Sequence, residues 1–145
     1  MVTKEGFHEF LKALARLKQR VESDRTTILV EGERDAVSLA SLGIARDAIL
    51  VLNRGQTLVT VVETLAAAHR PVVLLMDWDR KGAELSGRLS ALLHGTGIRV
   101  DLDTRRRFSK AIKGEVTEVE DLYGWAERSS KQLEEPMDID LFPTT

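Results

Sequence analysis

The chain reads as an α/β domain built on a parallel sheet. Three observations predict it. Short, nearly continuous apolar runs recur; each is followed by a stretch with helical apolar spacing; and Gly, Pro or charged residues mark the joints. Continuous apolar runs suit strands covered on both faces. Strand–helix alternation with short joints produces parallel neighbours through right-handed crossovers. At 145 residues the chain is sized for one domain. We therefore expect a single domain over 1–145, with an N-terminal helix in 1–24, a core over 25–116, and an acidic helix and tail over 117–145.

The elements follow in order. Phe7, Phe10, Leu11, Leu14, Leu17 and Val21 recur at steps of three and four, with Lys12, Arg16, Lys18 and Arg20 between them, which predicts an amphipathic packing helix over 7–21. The run 26–30 is the first strand, and Ala36, Val37, Leu39 and Ala40 mark the helix after it, stopped by Gly43. The run 48–52 is the second strand; Leu58, Val61, Val62 and Leu65 mark its helix, and Pro71 opens the third strand, 71–76. Leu85, Leu89, Leu92 and Leu93 give the next helix, broken by Gly95 and Gly97, and 98–102 is a fourth strand. Val119, Leu122, Tyr123 and Ala126 form one more helical stripe, and the last residues read as an extended tail.

Composition narrows the chemistry. Hydrophobic residues are 43% and charged residues 30%, a globular balance. The net charge of −2 excludes a uniformly basic protein that coats nucleic acid. Charge is nevertheless segregated: 99–113 hold six basic residues against two acids, and 115–140 hold nine acids against two basic residues. With no cysteine, disulfides, thiolate zinc sites and cysteine nucleophiles are excluded. His8, His69 and His94 are too scattered for a histidine cage. No apolar run reaches the roughly 20 residues of a membrane span, and the first residues have no hydrophobic signal core. The expectation is a cytoplasmic domain without membrane contact, whose metal, if any, takes oxygen ligands.

In an open parallel sheet, functional groups gather at the carboxyl ends of the strands. Those ends read Glu31, Asn53, Asp77 with Asp79, and Asp103. Carboxylates placed together repel and raise one another's pKa unless a cation sits among them. Oxygen-only donors favour Mg²⁺ or Mn²⁺. Gly32 lets backbone pass close to a ligand, and Asp35 falls in the first turn of the helix after Glu31. Taken singly, each acid is usually a helix cap or loop residue, and Asp35 is also explained as a favourable charge at a helix N-terminus. The argument rests on their combination.

Val30-Glu31-Gly32-Glu33-Arg34-Asp35-Ala36 resembles the first signature of Toprim domains, a strand ending in Glu-Gly with an Asp shortly after. Met76-Asp77-Trp78-Asp79-Arg80-Lys81-Gly82 resembles the second, a strand followed by Asp-x-Asp and Gly. One strand–helix unit separates them, and the resemblance covers about residues 25–105. It implies a Rossmann-like three-layer Toprim fold, with Glu31 as general acid/base or metal ligand and Asp77 and Asp79 binding Mg²⁺. Asp35 matches a further acidic position. The chain looks like the small single-domain Toprim proteins of archaea and bacteria. The segment from Lys113 to Glu120 is distantly similar to a Gly-x-x-x-x-Val-Glu element of ribosomal-RNA maturation nucleases. For Glu31 to reach the metal of Asp77 and Asp79, strands one and three must be neighbours, which gives the order 2-1-3-4.

The resemblance implies phosphodiester chemistry on RNA or DNA, as a Mg²⁺-dependent nuclease or phosphotransferase. The alternatives are a non-catalytic metal- and nucleic-acid-binding module within a repair or RNA-processing complex, and a regulatory protein whose acidic edge binds metal or a nucleotide only. A topoisomerase is disfavoured because the one tyrosine, Tyr123, falls on an apolar stripe. A primase is disfavoured because 145 residues without cysteine leave no room for its other modules. The expected phosphate grip is Arg105, Arg106 and Arg107, placed after the fourth strand, joined by Arg54, Arg80 and Lys81 on loops at the same edge. Trp78, between the two Asp residues, is expected to point away from them and to be buried.

Overall fold

The apolar runs become four short parallel strands. In this computed structural model, which describes residues 2–52 and 55–137, these are β1 (Thr27–Val30), β2 (Ile49–Val51), β3 (Val72–Leu74) and β4 (Val100–Asp101). Their order across the sheet is β2-β1-β3-β4. Ile28 lies opposite Ile49 on one side and Val73 on the other, and Val72 lies opposite Val100, all in parallel register. This is the order expected from the acids. It sets the carboxyl ends of β1 and β3 side by side.

Among the described residues six α-helices cover the sheet: α1 (Lys4–Asp24), α2 (Glu33–Ser41), α3 (Leu58–Ala68), α4 (Arg80–Leu93), α5 (Asp103–Ile112) and α6 (Leu122–Leu133). α1 is longer than the 7–21 expected. The Thr3 hydroxyl caps it by accepting the Gly6 N–H at 2.9 Å, and Arg25 closes it in the left-handed conformation.

Strand alternation divides the core in two. Ile28, Val30, Val73 and Leu75 face a cluster built with α1, α2, α5 and α6. Leu29, Val72, Leu74 and Met76 face the smaller cluster of α3 and α4. The result is three layers, helices–sheet–helices. In the larger layer Phe10 anchors three helices, with ring centroids 5.1 Å from both Phe108 and Trp125. Among the described residues no helix is long and apolar enough to cross a membrane.

One segment differs from expectation. Residues 103–112, read as basic chain after the fourth strand, form α5. Its buried residues Thr104, Phe108, Ala111 and Ile112 have helical spacing, but the stripe is narrow and Arg105–Arg107 run through it. Asp103 accordingly opens a helix and does not face the acids as a fourth site carboxylate.

Candidate metal and nucleic-acid site

Four acids meet the sheet's carboxyl edge, and each accepts at least one backbone N–H. Glu31 follows β1, and its Oε2 accepts the Asp77 N–H at 2.9 Å, reaching across to the end of β3. Asp35, buried in the first turn of α2, accepts the Gly32 N–H at 3.0 Å. Half-buried Asp77 accepts the Val119 N–H at 2.8 Å through Oδ1. Exposed Asp79 is the N-cap of α4 and accepts the Gly82 N–H at 2.7 Å. The ordinary capping roles are thus real for Asp35 and Asp79, and they hold these carboxylates in place at the edge.

The electrostatics record their proximity. Burial, with the charges of Glu31, Asp35 and Asp79 and against the Val119 N–H, raises the Asp77 carboxyl to about 7. Asp35 is raised by burial and then by Glu31 and Glu120, against the N–H groups of Gly32 and Glu120. A carboxyl raised chiefly by burial, and further by three like charges, has the donor chemistry that a divalent cation satisfies. The residues therefore fit Mg²⁺ or Mn²⁺ by charge and donor type. Among the described residues, however, no three carboxylate or imidazole groups converge closely enough to hold one ion. The acids form an electrostatic cluster, with one oxygen of each turned to a backbone N–H, not a finished coordination shell.

A later segment completes this edge. The Trp78 N–H donates to the Thr117 carbonyl at 2.9 Å, and its indole N–H donates to the Val116 carbonyl at 2.6 Å. With the Val119 bond to Asp77, three hydrogen bonds stitch 116–119 to the Asp-x-Asp loop. Trp78 is half-buried against the larger core cluster, as a wedge between loop and segment. The stitching brings Glu118 and Glu120 into the field of the site: Glu118 is raised by desolvation, then by Glu120 and Asp121, and also by Asp79. Neither acid is singled out by the strand-end pattern. The one signal in the sequence is the distant similarity of 113–120 to a nuclease element. Tyr123, packed against the core, donates its hydroxyl to Glu127 at 3.2 Å.

The basic residues separate. Arg105 Nε donates to the carbonyls of Met76 at 3.0 Å and Asp77 at 3.2 Å, and Nη2 reaches the Asp77 carbonyl at 2.8 Å. Arg105 therefore clamps the end of β3 and is turned to protein backbone, not to solvent or to the acidic C-terminal helix. Arg106 and Arg107 pair with Asp103 at 3.5 and 2.5 Å. The Arg107 guanidinium is raised by its bond to Asp103 and by that carboxylate's charge. Arg80, almost fully exposed, lies 3.6 Å from Glu84, and Lys81 is exposed beside it on α4. Asn53 and Arg54 lie outside the described residues.

Known proteins agree with this geometry. The sequence model of the Toprim-like family matches residues 28–110, which span β1 to most of α5. A UPF0292 protein of Thermococcus gammatolerans is 36% identical over 120 residues, covering 83% of this chain and 85% of that one. One from Pyrococcus abyssi is 41% identical over 96 residues, covering 66% and 70%. One from Methanosarcina barkeri is 35% identical over 101 residues, covering 70% and 69%. A solved structure of an Aquifex aeolicus protein superposes with a TM-score of 0.61 at 27% identity, over 77% of this chain and 96% of that one. With the strand order, the acidic edge and these matches in agreement, the chain belongs to the Toprim-like family and stands among relatives of the archaeal UPF0292 type.

Proposed function

We propose that this protein carries out Mg²⁺-dependent phosphodiester chemistry on RNA or DNA, as a small nuclease or phosphotransferase. Membership of the Toprim-like family supports a metal-binding, nucleic-acid-related role. The observation that carries the finer reading is the state of Asp77. Burial, with three neighbouring carboxylates, raises its pKa to about 7 at the carboxyl edge of a parallel sheet. Asp77 and Asp79 would hold the metal, with Glu31 and Asp35 beside them. A bound divalent ion supplies charge neutralisation at the scissile phosphate and a more acidic water. Glu31, whose Oε2 accepts the Asp77 N–H across the strand gap, would hold or move a proton.

The experiment is a Mg²⁺ and Mn²⁺ titration of cleavage over single- and double-stranded RNA and DNA, with Glu31→Gln beside the natural protein. Gln keeps a carbonyl oxygen for the Asp77 N–H but loses the charge. Cleavage should fall about a hundredfold or more while nucleic-acid binding is retained. A fully active Glu31→Gln protein rules out the catalytic role of this residue. A second reading, a binding module without chemistry, is favoured by the engagement of one oxygen of each acid with a backbone N–H. Metal-dependent binding with no cleavage of any substrate would select it.

A further inference from the structure

α1 and α5 pack unusually close. Gly6 lies beside Ala111, Phe10 against Phe108, and Arg20 is bonded to Asp101 just before α5 begins, so the two helices run antiparallel. The closeness depends on Gly6, because a Cβ there would lie 2.6 Å from the Ala111 carbonyl oxygen. Between the exposed shoulders of the two helices runs a groove of about 470 Å³, floored by Gly6, Ala13 and Ala111. Six cations line it: Lys12 and Arg16 from α1, and Arg106, Arg107, Lys110 and Lys113 from α5 and its cap. Three acids oppose them, Glu5, Glu9 and Asp103. Asp103 already serves Arg106 and Arg107, and Glu9 serves Lys12. Arg16, Lys110 and Lys113 have no ion-pair partner among the described residues. A chain of net charge −2 thus carries a groove with an excess of three positive charges.

We propose that this groove holds the sugar–phosphate backbone of a nucleic-acid strand that continues to the acidic edge; the inference rests on the reading of that edge as a phosphodiester site. α5 joins the two places. Arg105 touches the Asp77 carbonyl, and the next residues, Arg106 and Arg107, line the groove. Cations three and four residues apart on a helix stand about one turn, ~5.4 Å, from one another. They form rows that match a polymer bearing one charge per unit better than a single anion. An acidic edge by itself would repel such a polymer, so the attraction must come from a separate basic surface. This surface joins α1, which precedes the family-matched residues 28–110, to α5, most of which lies within them, so only the α1 side of the grip is an addition to the Toprim-like core.

The test is fluorescence anisotropy with labelled single- and double-stranded oligonucleotides over a salt series. The natural protein is compared with Arg16→Ala/Lys110→Ala/Lys113→Ala and with Arg88→Ala, an exposed cation on the α3/α4 layer. Each cation withdrawn from a phosphate flattens the slope of log affinity against log salt by about 0.7 to 0.9. The triple variant should therefore have a slope shallower by about 2 to 2.7 units, and Arg88→Ala an unchanged one. Mg²⁺ should raise the melting temperature of the natural protein, and the same rise should persist in both variants. If the triple variant is not folded, Lys110→Glu alone, a single exposed change on α5, should still weaken binding. Equal slopes in all proteins overturn the groove while leaving the acidic site standing, provided Mg²⁺-dependent cleavage continues. Failure of the natural protein to bind any oligonucleotide at low salt overturns both. A poly-glutamate peptide that competes as well as an oligonucleotide of equal charge would reassign the groove to an acidic protein segment.

Discussion

Gly82 and Asp77 meet backbone to backbone: a Cβ built on Gly82 would lie 1.8 Å from the Asp77 carbonyl oxygen and 2.7 Å from its carbon. The first turn of α4 is thus pressed against the turn that leaves β3, which is how Asp79 reaches the Gly82 N–H at 2.7 Å. Arg105 grips the same Asp77 carbonyl from the other side. The Asp-x-Asp loop is held in a vice between α4 and α5.

Gly82→Ala should spoil that arrangement. The clash is with main chain, so no side-chain rotation relieves it, and a loss of about 3 kcal/mol or more is expected. Differential scanning calorimetry should show a lower melting temperature and a weakened rise on adding Mg²⁺. A Gly82→Ala variant with unchanged stability and metal response would contradict the packing described.

Arg105→Ala should lower stability by about 1–3 kcal/mol, because the Met76 and Asp77 carbonyls lose their donors. Arg105→Lys should recover little of it, since a single ammonium cannot reproduce the forked contact to two carbonyls. Chemical denaturation of the three proteins compares them directly. If instead Arg105→Ala changed only nucleic-acid affinity and left stability unaltered, the residue would act on phosphate and not on the loop.

The proposed metal binding has a pH dependence of definite sign. Asp77 has a folded pKa of about 7, well above the ordinary value of 3.8. The folded protein therefore holds more protons than the unfolded chain between these values, and this group removes stability as pH rises through that window. A cation must displace the proton, so Mg²⁺ affinity should rise as pH passes upward through about 7. Asp77→Asn should flatten both trends and raise the stability of the metal-free protein at about pH 8, because it keeps the acceptor for the Val119 N–H without the charge. Isothermal titration at several pH values measures the first, thermal melts the second. A metal affinity that falls with rising pH would refute this assignment.

Asp101 should behave in the opposite sense. Burial pushes its carboxyl up, but the Arg20 hydrogen bond and charge, with the N–H groups of Thr104 and Asp103, outweigh burial and hold it below the usual range. Its contribution is present above about pH 4 and is lost as pH falls through the lowered value. Arg20→Ala should reduce stability at about pH 7 and shift acid unfolding to higher pH, as followed by circular dichroism during acid titration. An unchanged acid transition would mean that this pair contributes nothing to the fold.

Much of this architecture is legible in the residues, for reasons that differ by element. The order β2-β1-β3-β4 follows from a chemical demand, that Glu31 and Asp77 share one edge, and the Glu31 bond to the Asp77 N–H meets it. Helices α1 to α4 are legible because their apolar stripes are wide. α5 is hidden because three arginines interrupt a stripe of four buried residues. The part of the site contributed by 116–119 is least legible, since it acts through the carbonyls of Val116 and Thr117 and the N–H of Val119. Main-chain groups are the same at every position and leave no mark on composition or period. Glu118 and Glu120 come to the acids only because those main-chain bonds carry them there.

Val119, which steadies Asp77, is made after every strand of the sheet. All four strand segments therefore leave the ribosome before the amide that holds Asp77. Until it appears, the repelling carboxylates at the sheet edge lack one of their restraints. A segment made late in synthesis thus supplies the restraint on an acid made long before it.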